Sequence, residues 1–160
     1  MKKTMIMSAC LLIAFFIQGC GRENSVKATV STLPHLGMTM EQCLRGCEVL
    51  KQEEVDYLVI AANDCMILVS FESDTAKELA YIKFSKENIE QIRKKIGTPE
   101  EKEMALVELE WSGLEVQKLL EINGNGFEWQ ANLFSPGEWT RQDGRAGAEL
   151  GYSGLTITKF

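Results

Sequence analysis

The sequence predicts an α+β protein built of two tandem modules, each one helix plus a three-stranded antiparallel sheet. Three observations predict it. A capped helical stripe opens at Thr39 and another at Ser85. Three runs with strand character follow each helix, and turn chemistry separates the runs.

The first helix starts at Thr39-Met40-Glu41-Gln42, which has the form of a capping box. Met38 before the cap and Cys43 beyond it fit a hydrophobic staple. Met40, Cys43, Leu44 and Cys47 then recur at i, i+3, i+4, i+7 spacing, predicting a helix to about Val49 that Gly46 weakens. Strands are expected over Val55–Ala62, Cys65–Glu72 and Ala76–Phe84, with Cys65, Ile67, Val69 and Phe71 on one face. Asn63-Asp64 and Ser73-Asp74-Thr75 supply the turns.

The second module begins at Ser85, a good N-cap. Ile89, Ile92 and Ile96 make the stripe, and Gly97-Thr98-Pro99 stops it. Strands are expected at Met104–Trp111, Leu114–Ile122 and Phe127–Phe134, joined through Ser112-Gly113 and Asn123-Gly124-Asn125-Gly126. Residues 33–84 and 85–134 thus form the two modules. Residues 135–160 form a Gly-rich tail ending in an edge strand, Gly154–Phe160.

Residues 1–19 have a different character. Met1-Lys2-Lys3 is a short positive start, and Met5–Ile17 is an uncharged apolar run. A helix of thirteen residues spans about 20 Å. That is too short for a hydrocarbon core of about 30 Å, so the run predicts a secretory signal and not a membrane span. It ends in Ile17-Gln18-Gly19-Cys20, which resembles the bacterial lipobox. The resemblance implies cleavage before Cys20, lipidation of Cys20, and residues 20–32 as a lipidated tether. Gly21 stands where Asp would imply inner-membrane retention, so the resemblance implies the periplasmic face of a Gram-negative outer membrane. Without Lys2 and Lys3, fifteen basic side chains against 23 acidic ones leave a charge of −8.

That charge offers no basic face for nucleic acid. It favours basic partners, with an on-rate that falls as salt rises. The chain has a single histidine, His35, which leaves little room for histidine metal cages or a Ser-His-Asp arrangement. His35 reads as a loop residue. Glu53, Glu54, Glu100, Glu101 and Glu103 sit at element ends, and Glu108 and Glu110 read as the wet face of a strand. Gly124-x-Gly126 is a turn, since no Lys or helix follows it. Trp111, Trp129 and Trp139 read as packing residues. No catalytic residue, metal site or cofactor is expected.

In an oxidising periplasm two of Cys43, Cys47 and Cys65 are expected to pair. Cys43 and Cys47 lie four apart on one predicted helix, where a bond is strained. A bridge from Cys47 or Cys43 to Cys65 is favoured, and closing a loop of about 20 residues adds about 3 kcal/mol.

Leu36-Gly37-Met38-Thr39-Met40-Glu41-Gln42-Cys43-Leu44 resembles the helix start of the SmpA/OmlA (BamE) lipoproteins and of the β-lactamase inhibitor proteins. Met66–Phe71, Glu72–Thr75 and Leu79–Phe84 are similar to the hairpin that follows there, and Ile89–Pro99 resembles the next helix and its stop. Cys47-Glu48 departs from the family's Gly-x-Pro helix end. The resemblance implies a non-enzymatic module that binds another envelope protein in assembly or maintenance. The alternative is a periplasmic inhibitor or immunity lipoprotein that blocks an enzyme or toxin.

Overall fold

The computed structural model describes residues 33–62, 65–96, 98–152 and 154–160. The signal segment, Cys20 and the rest of the tether to residue 32 lie outside the described residues. The strands are β1 (Glu48–Glu53), β2 (Asp56–Ala62), β3 (Cys65–Glu72), β4 (Thr75–Lys83), β5 (Trp129–Ala131), β6 (Glu138–Arg141), β7 (Ala146–Gly151) and β8 (Gly154–Lys159). They form one antiparallel sheet in the order β1-β2-β3-β4-β8-β7-β6-β5. The helices are α1 (Met40–Leu44), α2 (Lys86–Lys95) and α3 (Gly113–Gly124), with a 3₁₀ turn at Pro99–Glu103.

The expected tandem modules are therefore replaced by a single sheet. Two residue sets explain the difference. Leu79 and Tyr81 on β4 pair with Ile157 and Leu155 on β8, so the last strand is internal and not an edge, and it joins the two halves. Leu114–Ile122, expected as a strand, belongs to α3. Its Val116, Leu119, Leu120 and Asn123 are buried at i, i+3, i+4, i+7, and Ser112 and Glu115 close a capping box at its start. Asn123-Gly124-Asn125-Gly126 ends this helix through Asn125 in the left-handed region, instead of turning a hairpin.

In the first half β2, β3 and β4 follow the expected strands, but β1 (Glu48–Glu53) is a fourth strand where the end of a helix was expected. Thr39 and Gln42 form the expected capping box, with Gln42 N–H donating to Thr39 Oγ1 at 3.3 Å and Thr39 N–H to Gln42 Oε1 at 2.9 Å. α1 stops at Leu44, earlier than the predicted Val49, because Gly46 takes φ +78° and the chain turns into β1. Ser85 caps α2 through Asn88 N–H at 3.2 Å. Met104–Trp111, expected as a strand, forms no strand and makes a single isolated backbone bridge, from Glu108 to Phe84, among the described residues. Its Val107 and Leu109 are exposed, the reverse of the alternation expected there.

Alternation along central strands gives each face its own core. Tyr57, Val59, Ile67, Val69, Leu79, Tyr81, Leu155 and Ile157 meet Cys43 of α1 and Val116, Leu119 and Leu120 of α3 on one face. Leu58, Ile60, Met66 and Ile82 meet Ile89, Ile92 and Ile96 on the other. Strands buried on both faces carry near-continuous apolar runs, as β2 and β3 do.

The segment from Leu33 to Thr39 is fastened across the first face by a buried polar network. Tyr81 O–H donates to Pro34 O at 2.6 Å. Asn123 Nδ2 donates to Tyr81 Oη at 2.9 Å and to Leu119 O at 2.8 Å, while its Oδ1 accepts Leu36 N–H at 2.8 Å. Asn123 and Tyr81 are fully buried, so every one of these polar groups needs its partner.

Candidate functional site

α2 covers only the half of the sheet made by β1–β4. Its isoleucines reach residues of β1, β2, β3 and β4 and none of β5–β8. Among the described residues, no helix shares a core with the corresponding face of β5–β8. Strand pairing builds that face in rows, because directly paired residues share a side of the sheet. One row runs Glu78, Thr158, Gly147, Thr140, Gln130. The next runs Ala80, Thr156, Glu149, Glu138. Thr140, Gln130, Glu138 and Glu149 are exposed, and Thr156, Thr158 and Glu78 are half-buried. The result is an array of hydroxyl, amide and carboxylate groups on a β-sheet face.

Two features shape it. Glu138 and Glu149 stand directly opposite each other, a like-charge pair that disfavours its own strands and favours a cation brought by another molecule. Gly147 lies under the Phe160 ring: a Cβ there would sit 2.7 Å from Phe160 Cζ, so only glycine leaves room for the ring in this position.

At the row's far end, Glu78 pairs with Ser70, which in turn pairs with Asp56. Partial burial, then the Asp56 charge, push the Glu78 carboxyl above its ordinary range. A carboxyl whose folded pKa is raised opposes folding when it is ionised and ceases to do so once it is protonated. Glu78→Gln is thus expected to melt higher than the unsubstituted chain at pH 7. The two melting curves should converge as pH falls to about 4, where the carboxyl is protonated even unfolded. Equal melting at pH 7 would remove the burial cost argued for Glu78.

The thiols are arranged for structure. No disulfide joins Cys43, Cys47 and Cys65, so the expected bridge to Cys65 from Cys47 or Cys43 is not formed here. α1 ends before Cys47, which leaves the pair off a common helix. Cys47 Sγ instead donates to Cys43 O at 3.2 Å. Burial, then the neighbouring Cys47, push the Cys43 thiol up to about 12. Burial alone takes Cys47 to about 11. Neither is a thiolate at neutral pH, so neither is poised as a nucleophile.

The other singled-out residues are dispersed. His35 Nδ1 lies 3.0 Å from Leu33 O. Glu53 and Glu54 stand at the β1–β2 turn, and Glu100, Glu101 and Glu103 on the 3₁₀ turn. Trp111, Trp129 and Trp139 are half-buried against the larger core. Trp111 Nε1–H donates to Tyr81 O at 3.2 Å and Trp129 Nε1–H to Leu120 O at 2.6 Å. Glu115, at the start of α3, is held at about pKa 2, chiefly by the Lys83 ammonium 2.6 Å away. Among the described residues, no group of three or more His, Cys, Asp or Glu side chains is placed to hold a metal ion, and no helix is long and apolar enough to cross a membrane.

The open face was hidden in the sequence because it lies on β6 and β7, inside the stretch dismissed as Gly-rich. Its signal was the Asp143-Gly144 dipeptide, a hairpin turn between Glu138–Arg141 and Ala146–Gly151. Gly144 has φ +69° and closes that turn through its N–H to Arg141 O at 2.7 Å.

These features define a single-sheet α+β protein with one half-face open. No protein-family model, curated protein or solved structure matches the chain.

Proposed function

We propose that this chain is an outer-membrane lipoprotein, anchored through Cys20 on the periplasmic side, that binds another envelope protein without catalysis. The open face of β5–β8 carries the reading: it is a broad hydrogen-bonding surface whose opposed Glu138 and Glu149 favour a cationic partner group. The Ile17-Gln18-Gly19-Cys20 sequence supports the anchor. The SmpA/OmlA-like helix start at Gly37-Met38-Thr39 supports a place in envelope assembly or maintenance. The opposed carboxylates equally favour a second reading, an inhibitor or immunity lipoprotein that docks on a basic enzyme or toxin surface.

The anchor is tested by substituting Cys20 with Ala and fractionating cells. The substituted chain is expected to leave the membrane fraction or to stay unprocessed at its full mass. Recovery with membranes at the processed mass would refute lipidation at Cys20. Barrel-assembly proteins cross-linked to the native chain would support the assembly role, and one soluble enzyme or toxin in stoichiometric amount would make it an inhibitor.

A further inference from the structure

At one end of the sheet lie three acidic turns, β1–β2 with Glu53, Glu54 and Asp56, β3–β4 with Glu72 and Asp74, and β6–β7 with Asp143, of which Glu53, Glu72 and Asp143 are paired with Lys51, Lys77 and Arg141. The other end carries charge on its β1–β4 side, with Glu48, Lys83 and the β2–β3 connection that includes Asp64. On its β5–β8 side lie the β5–β6 connection, residues 132–137, and the β7–β8 connection, residues 150–154, neither of which contains a charged side chain. Strand pairing fixes these two connections at the same end, because Glu138 at the start of β6 pairs with Glu149 near the end of β7. They project large apolar groups into solvent: Leu133 is 89% exposed, Phe134 96%, and Tyr152 fully.

The chain enters the fold toward that end. Pro34 O meets Tyr81, which pairs with Leu155 beside the β7–β8 connection. Gly37 N–H donates to Ala76 O at 3.3 Å, and Thr39 bridges Thr75 at the acidic end. Residues 33–39 therefore run from the end that holds these two connections toward the end with the acidic turns, and Leu33 lies on the side of the connections. Twelve residues separate Cys20 from Leu33, a reach of at most about 40 Å.

We propose that the uncharged corner of the sheet, made by the β5–β6 and β7–β8 connections, rests on the bilayer, with Leu133, Phe134 and Tyr152 seated at the lipid headgroup and upper acyl level. This deepens the anchored reading and rests on it. Tethering from the same end brings these tips to the membrane surface. Their lack of charge permits shallow burial there, where the amphipathic Tyr ring is at home. The sheet then stands upright, with the open face of β5–β8 turned sideways into the periplasm.

The test places a reporter at each end. Phe134→Trp and, as control, Val55→Trp in the β1–β2 turn are reconstituted with Cys20 intact into vesicles of phosphatidylethanolamine and phosphatidylglycerol, with or without brominated acyl chains. Both positions are exposed, so neither substitution disturbs a core. The emission added by Trp at 134 is expected to fall at least about twofold on brominated vesicles, as for a residue seated in the interface. That added at 55 should not change. Flotation of the same samples reads the anchor separately. A chain that floats with no quenching at 134 overturns the seating alone, leaving the anchor intact and the tips to a protein partner. Equal quenching at both ends overturns the upright orientation. A chain that fails to float overturns the anchored reading and the seating with it.

Discussion

Gly154→Ala is expected to destabilise the fold by about 4 kcal/mol, the sum of backbone strain and a clash that nothing flexible can relieve. Gly154 opens β8 at φ +114°, a conformation that residues with a Cβ rarely adopt. An added Cβ would also sit 2.0 Å from Tyr81 O and 3.0 Å from Tyr81 C. Both are backbone atoms of β4, so the strands must part for the methyl group to fit. Among the described residues, that pairing is the sole strand-to-strand joint between the β1–β4 and β5–β8 halves. Separation there would expose Leu79, Tyr81, Leu155 and Ile157 at the centre of the larger core. Urea unfolding followed by circular dichroism reads the effect as a lower midpoint. A loss under about 1 kcal/mol, ordinary for a surface change, would show that β4 and β8 are not held together this tightly.

The second large effect is at Asn123. Asn123→Ala should cost about 3 kcal/mol, because buried polar groups that lose their partners keep their full desolvation penalty. The substitution strands Leu36 N–H, which donates to Asn123 Oδ1, and removes the donor to Tyr81 Oη. Arg141 Nη1 reaches Asn123 O at 3.4 Å, but that contact is to the backbone and survives the change. Segment 33–36 should loosen first, since Asn123 and Tyr81 together hold it to the sheet. The double substitution with Tyr81→Phe is expected to be less damaging than the sum of the singles, with a coupling above about 0.5 kcal/mol. Additive losses would mean that the two side chains act independently.

Legibility in the sequence divides along physical lines. β2, β3, β4 and α2 were legible because each couples a strong apolar period to a clear cap or turn, as with Ser85 before Ile89 and Ile92. α3 was misread although its signals match those of α1. Ser112 and Glu115 form the same capping box as Thr39 and Gln42, but Leu114–Ile122 is apolar enough to pass for a buried strand. Placing a strand there, the second of three, carried the repeat forward and forced a second module. β8 was found as a strand yet assigned to an edge, because pairing between β4 and β8 is a long-range fact that period-two alternation does not contain. β6 and β7 were missed because Gly144, Gly147 and Gly151 dilute their alternation. Gly144 serves a turn and Gly147 admits the Phe160 ring, so these glycines mark structure and not its absence.

The candidate site shared that blind spot. Thr140, Gln130, Glu138 and Glu149 are unremarkable polar residues in sequence, and only strand register assembles them into one surface. His35, read in sequence as a loop residue, and the three cysteines, read as structural thiols, lie apart from that surface. Cys43 and Cys65 lie in the core that contains Tyr81. The lipobox reading of Ile17-Gln18-Gly19-Cys20 uses only local sequence, and it falls outside the described residues.

The central claim is that the open face of β5–β8 receives a partner protein in the envelope. A photoreactive amino acid placed at Thr140 on that face, and separately at exposed Gln117 on α3, tests it most directly. Irradiated in the native envelope, the chain is expected to give a discrete protein adduct from position 140 and none from position 117. The same adduct from position 117 alone, with position 140 silent, would put the interaction on the helical side and contradict the account.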